Sequence, residues 1–385
     1  MFNYFITALK VLIKSKKIFN FPKSNKILIY DAIGAENIIL LLKEIIDIKP
    51  HVMATRGEVI NIPVLFFTLI KLKIKKKNYI FEYIKKIKPE IIITFIDNNL
   101  EFYKINNYFP EIKTIFIQNG WRSFHSDIFH KLSYTDYLNQ NLKVSQMLVF
   151  GSGIGKHYAK KINGRYEVIG SIKNNFNKIS NKKKKIVIYI SQWMESEFKI
   201  DNRYFNNISY SYPCDKIVIP ALIDFTEENN YKLYILTRSE YDSDFEKSEI
   251  NYFRETFSKN INFFAKNKYK NSYEIIDTAT IVTGIDSTLL YESISRGNKT
   301  GIFSFRGKLL KLKGFAYGWP SNNQDNGEFW TSLPDVNKIK KILHYLHSIS
   351  FNDLKLAYKK NKTEDILYFD YNNTNAKMLI KEILN

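Results

Sequence analysis

Between Thr283 and Ser304 the chain reads TGIDSTLLYESISRGNKTGIFS, an apolar run interrupted by Gly284, Ile285, Asp286, Ser287 and Thr288. The run TIVTGI has the composition of a buried strand, and STLLYESISRGN has the spacing of a helix. The first turn of such a helix presents unpaired backbone N–H groups and a partial positive charge. A phosphate binds readily there. Gly284 permits a sharp turn, and the hydroxyls of Ser287 and Thr288 can donate to the same oxygens. Glu292, four residues after Thr288, shares its helix face one turn deeper. A carboxylate in that position suits a ribose diol, which offers two donors. The plainer reading is a helix N-cap made by Asp286 or Ser287. That reading leaves Glu292 and the following glycine turn into a second buried strand unexplained.

Other polar side chains also follow apolar runs. Asp31 follows KILIY, Arg56 and Glu58 follow HVMAT, and Asp97 follows IIITFI. Gln118 and Asn119 follow KTIFI, Ser191 and Gln192 follow KIVIYI, and Arg238 follows KLYILT. A carboxylate such as Asp97 can serve as a general base or a nucleophile, or merely close an Asx turn. Asp31, Glu58, His125 and Asp127 are further acid–base candidates, although a satisfied loop histidine is the commoner role for a residue like His125. Arginines stand out where lysine is the usual cation. The guanidinium fork of Arg56 or Arg122 fits a carboxylate or phosphate, and a structural ion pair is the alternative. Metal-binding signatures such as HExxH or clustered His and Cys do not occur, and Asp242 and Asp244 in YDSDFE read as a solvated loop. No metal is expected.

The elements that must position these residues repeat one grammar twice. In the first half, KILIYDAIG, HVMATRGE, IIITFIDNN, KTIFIQNG, QMLVFGSG and YEVIGS read as strands, with AENIILLLKEII, NYIFEYIKKIKPE and LEFYKINNYFPE as helices between them. In the second, KIVIYISQ, KLYILTRS, INFFAKN, TIVTGI and KTGIFSF are strands, and IVIPALIDFTEENN, SYEIIDTA and STLLYESISRGN are helices. The tail from DVNKIKKILHYLHSIS onward is helical. Short strands that are apolar throughout and alternate with helices imply parallel sheets covered on both faces. The expected fold is α/β, two Rossmann-like domains in tandem with a cleft between them. Residues 1–175 form the first and 176–385 the second, with a linker near Ser171–Lys185. Ligands of such sheets bind beyond the carboxyl ends of the strands.

The chain has 385 residues, 45% of them hydrophobic, enough for two cores. Its only cysteine, Cys214, excludes an internal disulfide and suits a reducing cytoplasm. The start, MFNYFITALKVLIKSKK, carries Lys10 and lacks a cleavage site for secretion. The apolar stretch in VINIPVLFFTLIKLKIKKK runs for roughly ten residues, against the ~20 needed to cross a bilayer. The formal charge of +20 fits an anionic partner, and an AT-rich genome would give the same lysine bias. The run Lys71–Lys77 follows the apolar stretch and can face an anionic membrane surface, or be a solvated helix end. Asn181–Lys185 reads as linker. No nucleic-acid-binding signature occurs, so the expected location is cytoplasmic, peripheral at the inner face of the membrane.

The order of several pieces resembles a known group. ATRGEVINIP (54–63), TFIDNNLEFYKI (94–105), FIQNGWRS (116–123), VIGSIKNN (168–175), VIYISQW (187–193) and TGIDSTLLYES (283–293) are similar to segments of bacterial surface-carbohydrate biosynthesis proteins. Those are GT-B-like glycosyltransferases of capsule and lipopolysaccharide assembly that use CMP-activated ketoses. The resemblance implies a nucleotide-sugar donor, CMP-linked, held by Gly284, Asp286, Ser287, Thr288 and Glu292, with Ser191, Gln192 and Arg238 expected beside it from their strand-end positions. It implies a glycan or lipid-linked glycan acceptor, and the strand-end residues Asp31, Arg56, Glu58, Gln118, Gly120 and Arg122 are the ones expected near it or near an acidic sugar. Transferases of Kdo, an eight-carbon acidic sugar, carry a Gln-Asp-Gly…Arg-Ser turn with a catalytic Asp. Here Asn119 stands in its place, so that role does not carry over, although Asn119 can still hold a sugar hydroxyl or carboxylate. Asp97 is the best substitute, with His125 behind it. Beyond the donor substrate no cofactor is implied. A CDP-polyol phosphotransferase, a UDP-sugar epimerase and a noncatalytic nucleotide-sugar-binding scaffold remain alternatives.

Overall fold

A computed structural model describes residues 13–71, 75–125, 127–133, 141–180, 182–200, 202–266 and 271–384. The first twelve residues, the middle of the Lys71–Lys77 run and Asn181 lie outside the described residues. The first half contains β1 (Lys16–Ile18), β2 (Ile27–Tyr30), β3 (His51–Met53), β4 (Val59–Asn61), β5 (Ile91–Thr94), β6 (Lys113–Ile117), β7 (Lys143–Val149) and β8 (Asn163–Val168). Six of them form one sheet in the order β3-β2-β5-β6-β7-β8, with every pairing parallel. All four residues of β2 and all four of β5 are buried, as strands covered on both faces must be.

The second half contains β9 (Lys184–Ile190), β10 (Phe198–Ile200), β11 (Arg203–Phe205), β12 (Lys232–Glu240), β13 (Asn262–Lys266), β14 (Ala279–Gly284) and β15 (Thr300–Ile302). Here the order is β13-β12-β9-β14-β15, and β10 pairs with β11 as a separate antiparallel ribbon. In the middle of this parallel sheet Ile188 lies between Tyr234 and Val282. The chain winds outward from β9 through β12 to β13, then returns to lay β14 on the other side of β9. Neighbouring strands whose connections leave in opposite directions open a crevice at their carboxyl ends. In the first sheet the same reversal falls between β2 and β5. Asp31 and Asp97 follow one reversal, Ser191 and Asp286 the other.

Two expectations are corrected. LEFYKINNYFPE is not one helix but a 3-10 turn, Phe102–Lys104, and a single α turn, Ile105–Tyr108. The last helix, Thr374–Leu384, does not stay with the second half. Ala376 and Ile380 belong to one buried cluster with Ile27, Ile29, Ile91 and Ile93 of the first sheet, and Lys113 Nζ donates to the Ile383 carbonyl at 2.7 Å. That face of the first sheet is apolar throughout, and the tail helix supplies the cover it needs.

Candidate active site

The helix Thr288–Ser295 begins directly beyond β14. Ser287 is its N-cap, with its hydroxyl accepting from Leu289 N at 3.4 Å. The plainer reading of this residue is therefore realised in part. Gly284 serves a different purpose from the expected turn. It ends β14 in register with Ile190 and Ile302, and an added Cβ would lie 3.0 Å from Leu290 Cδ1. The missing side chain lets the helix close down on the strand.

Beyond these strand ends lies a cleft of about 490 Å³. From the second lobe it is lined by Ser191, Gln192, Arg238, Asp286, Ser287 and Thr288, and from the first by Trp121, Ser123 and Asp127. Six of the eight residues expected at the donor thus meet in one cavity between the lobes. Its apolar walls come from Met194, Phe198, Ile200, Tyr210 and Phe315. Three buried polar atoms of its lining find no hydrogen-bond partner among the described residues: Trp121 Nε1, Gln192 Oε1 and Asp286 Oδ2. Buried polar groups are nearly always satisfied, so such orphans mark where a ligand or water belongs.

Asp286 is anchored through its other oxygen to Arg306, and both side chains are almost fully buried. Burial works against the guanidinium charge, but Asp286 and the neighbouring Tyr210 hold it protonated, above its already high ordinary value. Arg306 also lies over the Tyr210 ring, 4.1 Å from its centre. Arg238 is exposed at the cleft and reaches toward the Trp193 carbonyl at 3.4 Å. Ser191 Oγ accepts from Trp193 N at 3.1 Å, which fixes the turn that follows β9.

Glu292 faces away from this cavity. It accepts from Ser171 Oγ at 2.5 Å and Tyr273 OH at 3.1 Å, and burial raises its pKa despite those donors. Its place is the seam between the lobes, not a ribose.

The first-lobe residues separate into two groups. Asp97 is fully buried, takes Arg122 Nε at 2.7 Å and Tyr158 OH at 2.6 Å, and does not line the cleft. Asn119 joins the same web, donating its backbone N–H to Asp97 at 3.3 Å and accepting from Arg122 at 2.5 Å. Gln118 braces the loop by donating to the Gly120 carbonyl and accepting from Phe150 N, each at 2.9 Å. Gly120 packs 3.5 Å from Thr288 Oγ1, measured from the Cβ it lacks. His125 donates its backbone N–H to the Lys313 carbonyl at 3.2 Å and sets its ring beside His130. This web corrects the catalytic expectation for Asp97, whose carboxylate is saturated by the interior of the lobe.

The first-lobe carboxylate that does reach the cleft is Asp127. Its Oδ2 lies 3.4 Å from Arg122 Nη1, and its Oδ1 accepts from Ile128 N at 2.7 Å. Burial pushes its pKa up, more than Arg122 pulls it down. The second group lies at a separate cavity. Asp31, in a left-handed backbone conformation, accepts from Thr55 Oγ1 at 2.8 Å and Arg56 Nε at 3.1 Å. Asp31 and Arg56 line this cavity with Asn98, Asn99, Lys76 and Lys131. Glu58 accepts from Arg56 N at 3.1 Å and is not part of its wall.

Sequence reasoning missed Trp121, Tyr210, Phe315 and Arg306. Arg306 carried a usable signal, an arginine in a lysine-rich chain just beyond a buried strand. Tyr210 carried none.

Comparison with known proteins supplies a family and a fold. The family described as "putative O-antigen biosynthesis protein" matches residues 115–384. No curated protein matches the sequence. The S. aureus MnaA–UDP structure superposes with a TM-score of 0.54 at 12% identity, over 94% of this chain and 97% of that one. Wall teichoic acid polymerase TagF, soaked with CDPG, gives 0.51 at 10% identity over 94% and 88%. A glycosyltransferase from Rickettsia africae ESF-5 gives 0.50 at 12% identity over 94% and 100%. Likeness at such low identity is likeness of fold, and it spans nearly the whole of each chain. The protein belongs to the matched O-antigen biosynthesis family, and its two lobes of parallel sheet facing across a cleft form the GT-B fold of surface-carbohydrate proteins.

Proposed function

We propose that the protein is a glycosyltransferase that moves a sugar from a nucleotide-sugar donor to a surface-glycan acceptor without a metal. The observation that carries this reading is the interlobe cleft, where the helix start at Ser287 and Thr288 faces Trp121 and Asp127 across the gap. The leaving phosphate gathers charge as the glycosidic bond breaks. Fixed N–H and hydroxyl donors at that helix start stabilise this charge without reorganising. Arg238 adds an exposed cation at the same rim. On the facing lobe Asp127 takes the proton of the acceptor hydroxyl. The cavity of Asp31 and Arg56 holds a more distant part of a glycan or lipid-linked glycan acceptor. The reading places the reaction in the cytoplasm.

Support for a nucleotide-sugar also comes from structures of similar fold, which hold UDP, UDP-GlcNAc or CDPG. A CMP-linked acidic ketose is favoured by the QNGWRS segment (118–123) and its resemblance to Kdo transferases. The test is a thermal-shift panel of CMP, CDP, UDP and GDP compounds. Stabilisation by CMP above the others is expected, since a ligand that binds only the folded state raises its melting temperature. Stabilisation by UDP alone would replace the donor with a UDP-sugar, and turnover of that sugar without an acceptor would make the protein an epimerase. No response to any nucleotide would overturn the transferase.

A further inference from the structure

The helix Ile62–Ile70 is apolar on the wrong side for a soluble protein. Its inward face holds Val64 and Thr68, both buried. Its outward face carries Phe66, Phe67, Leu69 and Ile70, with Phe66 64% and Ile70 62% exposed. The strand β1 runs parallel to β4, which leads directly into this helix, and Asn61 Nδ2 donates to the Asn20 carbonyl at 2.8 Å. That pairing sets Phe19, 73% exposed, and Phe21 beside the helix. Lys86 joins the two parts, its Nζ 4.8 Å from the Phe21 ring centre and 4.7 Å from that of Phe67. Lys71 Nζ also lies 4.7 Å from the Phe67 ring centre. The result is one aromatic and aliphatic patch with lysines in its rim. Contiguous apolar surface of this kind marks an interaction site.

We infer that this patch seats the protein on an anionic phospholipid bilayer. The charge around it decides the occupant. Lys71 and Lys86 touch the patch, exposed Lys75 caps the start of the supporting helix Lys76–Ile87, exposed Lys85 lies in its last turn, and the carboxylate of that helix, Glu82, is buried and already held by Lys71 and Lys85. A second copy of the chain seated here would bring lysines against lysines. Anionic headgroups satisfy the rim while the acyl boundary takes the phenylalanines, and ammonium groups over aromatic rings suit that interface. Among the described residues no helix is long and apolar enough to cross a membrane, so the contact is interfacial. One helix links the patch to the cavity of Asp31 and Arg56: Lys86 near its end touches the patch, and Lys76 at its start lines that cavity. A membrane-borne acceptor would therefore arrive on the lobe that carries this cavity. The binding itself is independent of any reading of the reaction.

The test is co-sedimentation of the purified full chain with vesicles of phosphatidylethanolamine and phosphatidylglycerol, against vesicles of phosphatidylcholine alone. The wild type is expected to pellet with the anionic vesicles and stay in solution with the neutral ones. Phe66→Asp with Ile70→Asp is expected to weaken binding on the order of tenfold or more, as is Lys75→Glu with Lys86→Glu, which leaves the Lys71–Glu82 pair intact. Melting temperature separates lost binding from lost folding, and the exposed Phe66 and Ile70 should leave it nearly unchanged. Equal pelleting with neutral vesicles, or unaltered binding by both folded variants, overturns the inference. So does a wild-type dimer in sedimentation velocity that the aspartate variant dissolves while no vesicle binds.

Discussion

The backbone N–H of Trp121 donates to Thr288 Oγ1 across the interlobe cleft, at 2.8 Å. The bond ties the first lobe's QNGWRS loop to the first residue of the second lobe's helix. It also orients the hydroxyl, because an oxygen that accepts from Trp121 keeps its own proton for another partner. One turn further along, Tyr291 stacks on the Trp121 indole with ring centres 5.5 Å apart and planes 16° from parallel. The loop and the helix therefore present the cleft as one preformed surface.

Replacing both hydroxyls, Ser287→Ala with Thr288→Ala, should weaken nucleotide binding about tenfold, as expected for losing one or two hydrogen bonds to a charged group. The folding cost should be modest, about 1 kcal/mol for the lost cap. Titration calorimetry of the best ligand in the nucleotide panel gives the first number and thermal melting the second. Thr288→Ser keeps the hydroxyl and should retain most of the affinity. Unchanged affinity in the double variant would remove this helix start from the donor site.

Arg306 and Asp286 make a different demand. Both are buried, and Asp286 Oδ2 is already an orphan at the cleft wall. Arg306→Met strands the Asp286 charge in the interior and should destabilise the protein by about 3–5 kcal/mol in urea unfolding. Adding Asp286→Asn removes the stranded charge and should recover much of that loss. A recovered fold that no longer binds nucleotide would show that the pair shapes the site as well as the core. An Arg306→Met protein as stable as the wild type would mean that solvent reaches the pair.

How much of this was legible in the sequence follows from what each feature depends on. The parallel strands were readable because Ile27–Tyr30 and Ile186–Ile190 are apolar without alternation, and a short run of that kind between helices suits a strand buried on both faces. The strand-end residues of the second lobe were readable for the same reason, since the position of a strand end locates Ser191 and Asp286 without knowledge of their contacts. Side-chain direction was not. Glu292 lies one turn from Thr288, yet the helix turns it into the seam toward Ser171, 121 residues earlier in the chain. Asp97 lies at a strand end as expected, but Arg122 and Tyr158 enclose it from elements that sequence spacing does not bring together. The tail helix Thr374–Leu384 was legible as a helix and not as the cover of a distant sheet, because its apolar stripe does not name its partner.

Asp127 now bears the catalytic prediction that Asp97 cannot. Its side chain is 8% exposed, it lines the cleft, and it touches Arg122, which itself clasps Asp97. Burial and then the Asp97 charge raise its pKa, and Arg122 opposes them, so it titrates above the ordinary carboxylate range. A general base works only when deprotonated. Turnover should therefore rise with pH through a limb lying above about 4, the ordinary aspartate value. Asp127→Asn should lower kcat on the order of a hundredfold or more, abolish that limb and leave nucleotide affinity within about twofold. Asp97→Asn should instead act through folding, since it leaves Arg122 short of a buried counter-charge, and its melting temperature should fall. Steady-state rates across pH, set beside melting curves for both variants, separate the two roles. Near-normal turnover in Asp127→Asn would show that the acceptor loses its proton to another group, while a stable but inactive Asp97→Asn would return the catalytic role to the interior carboxylate.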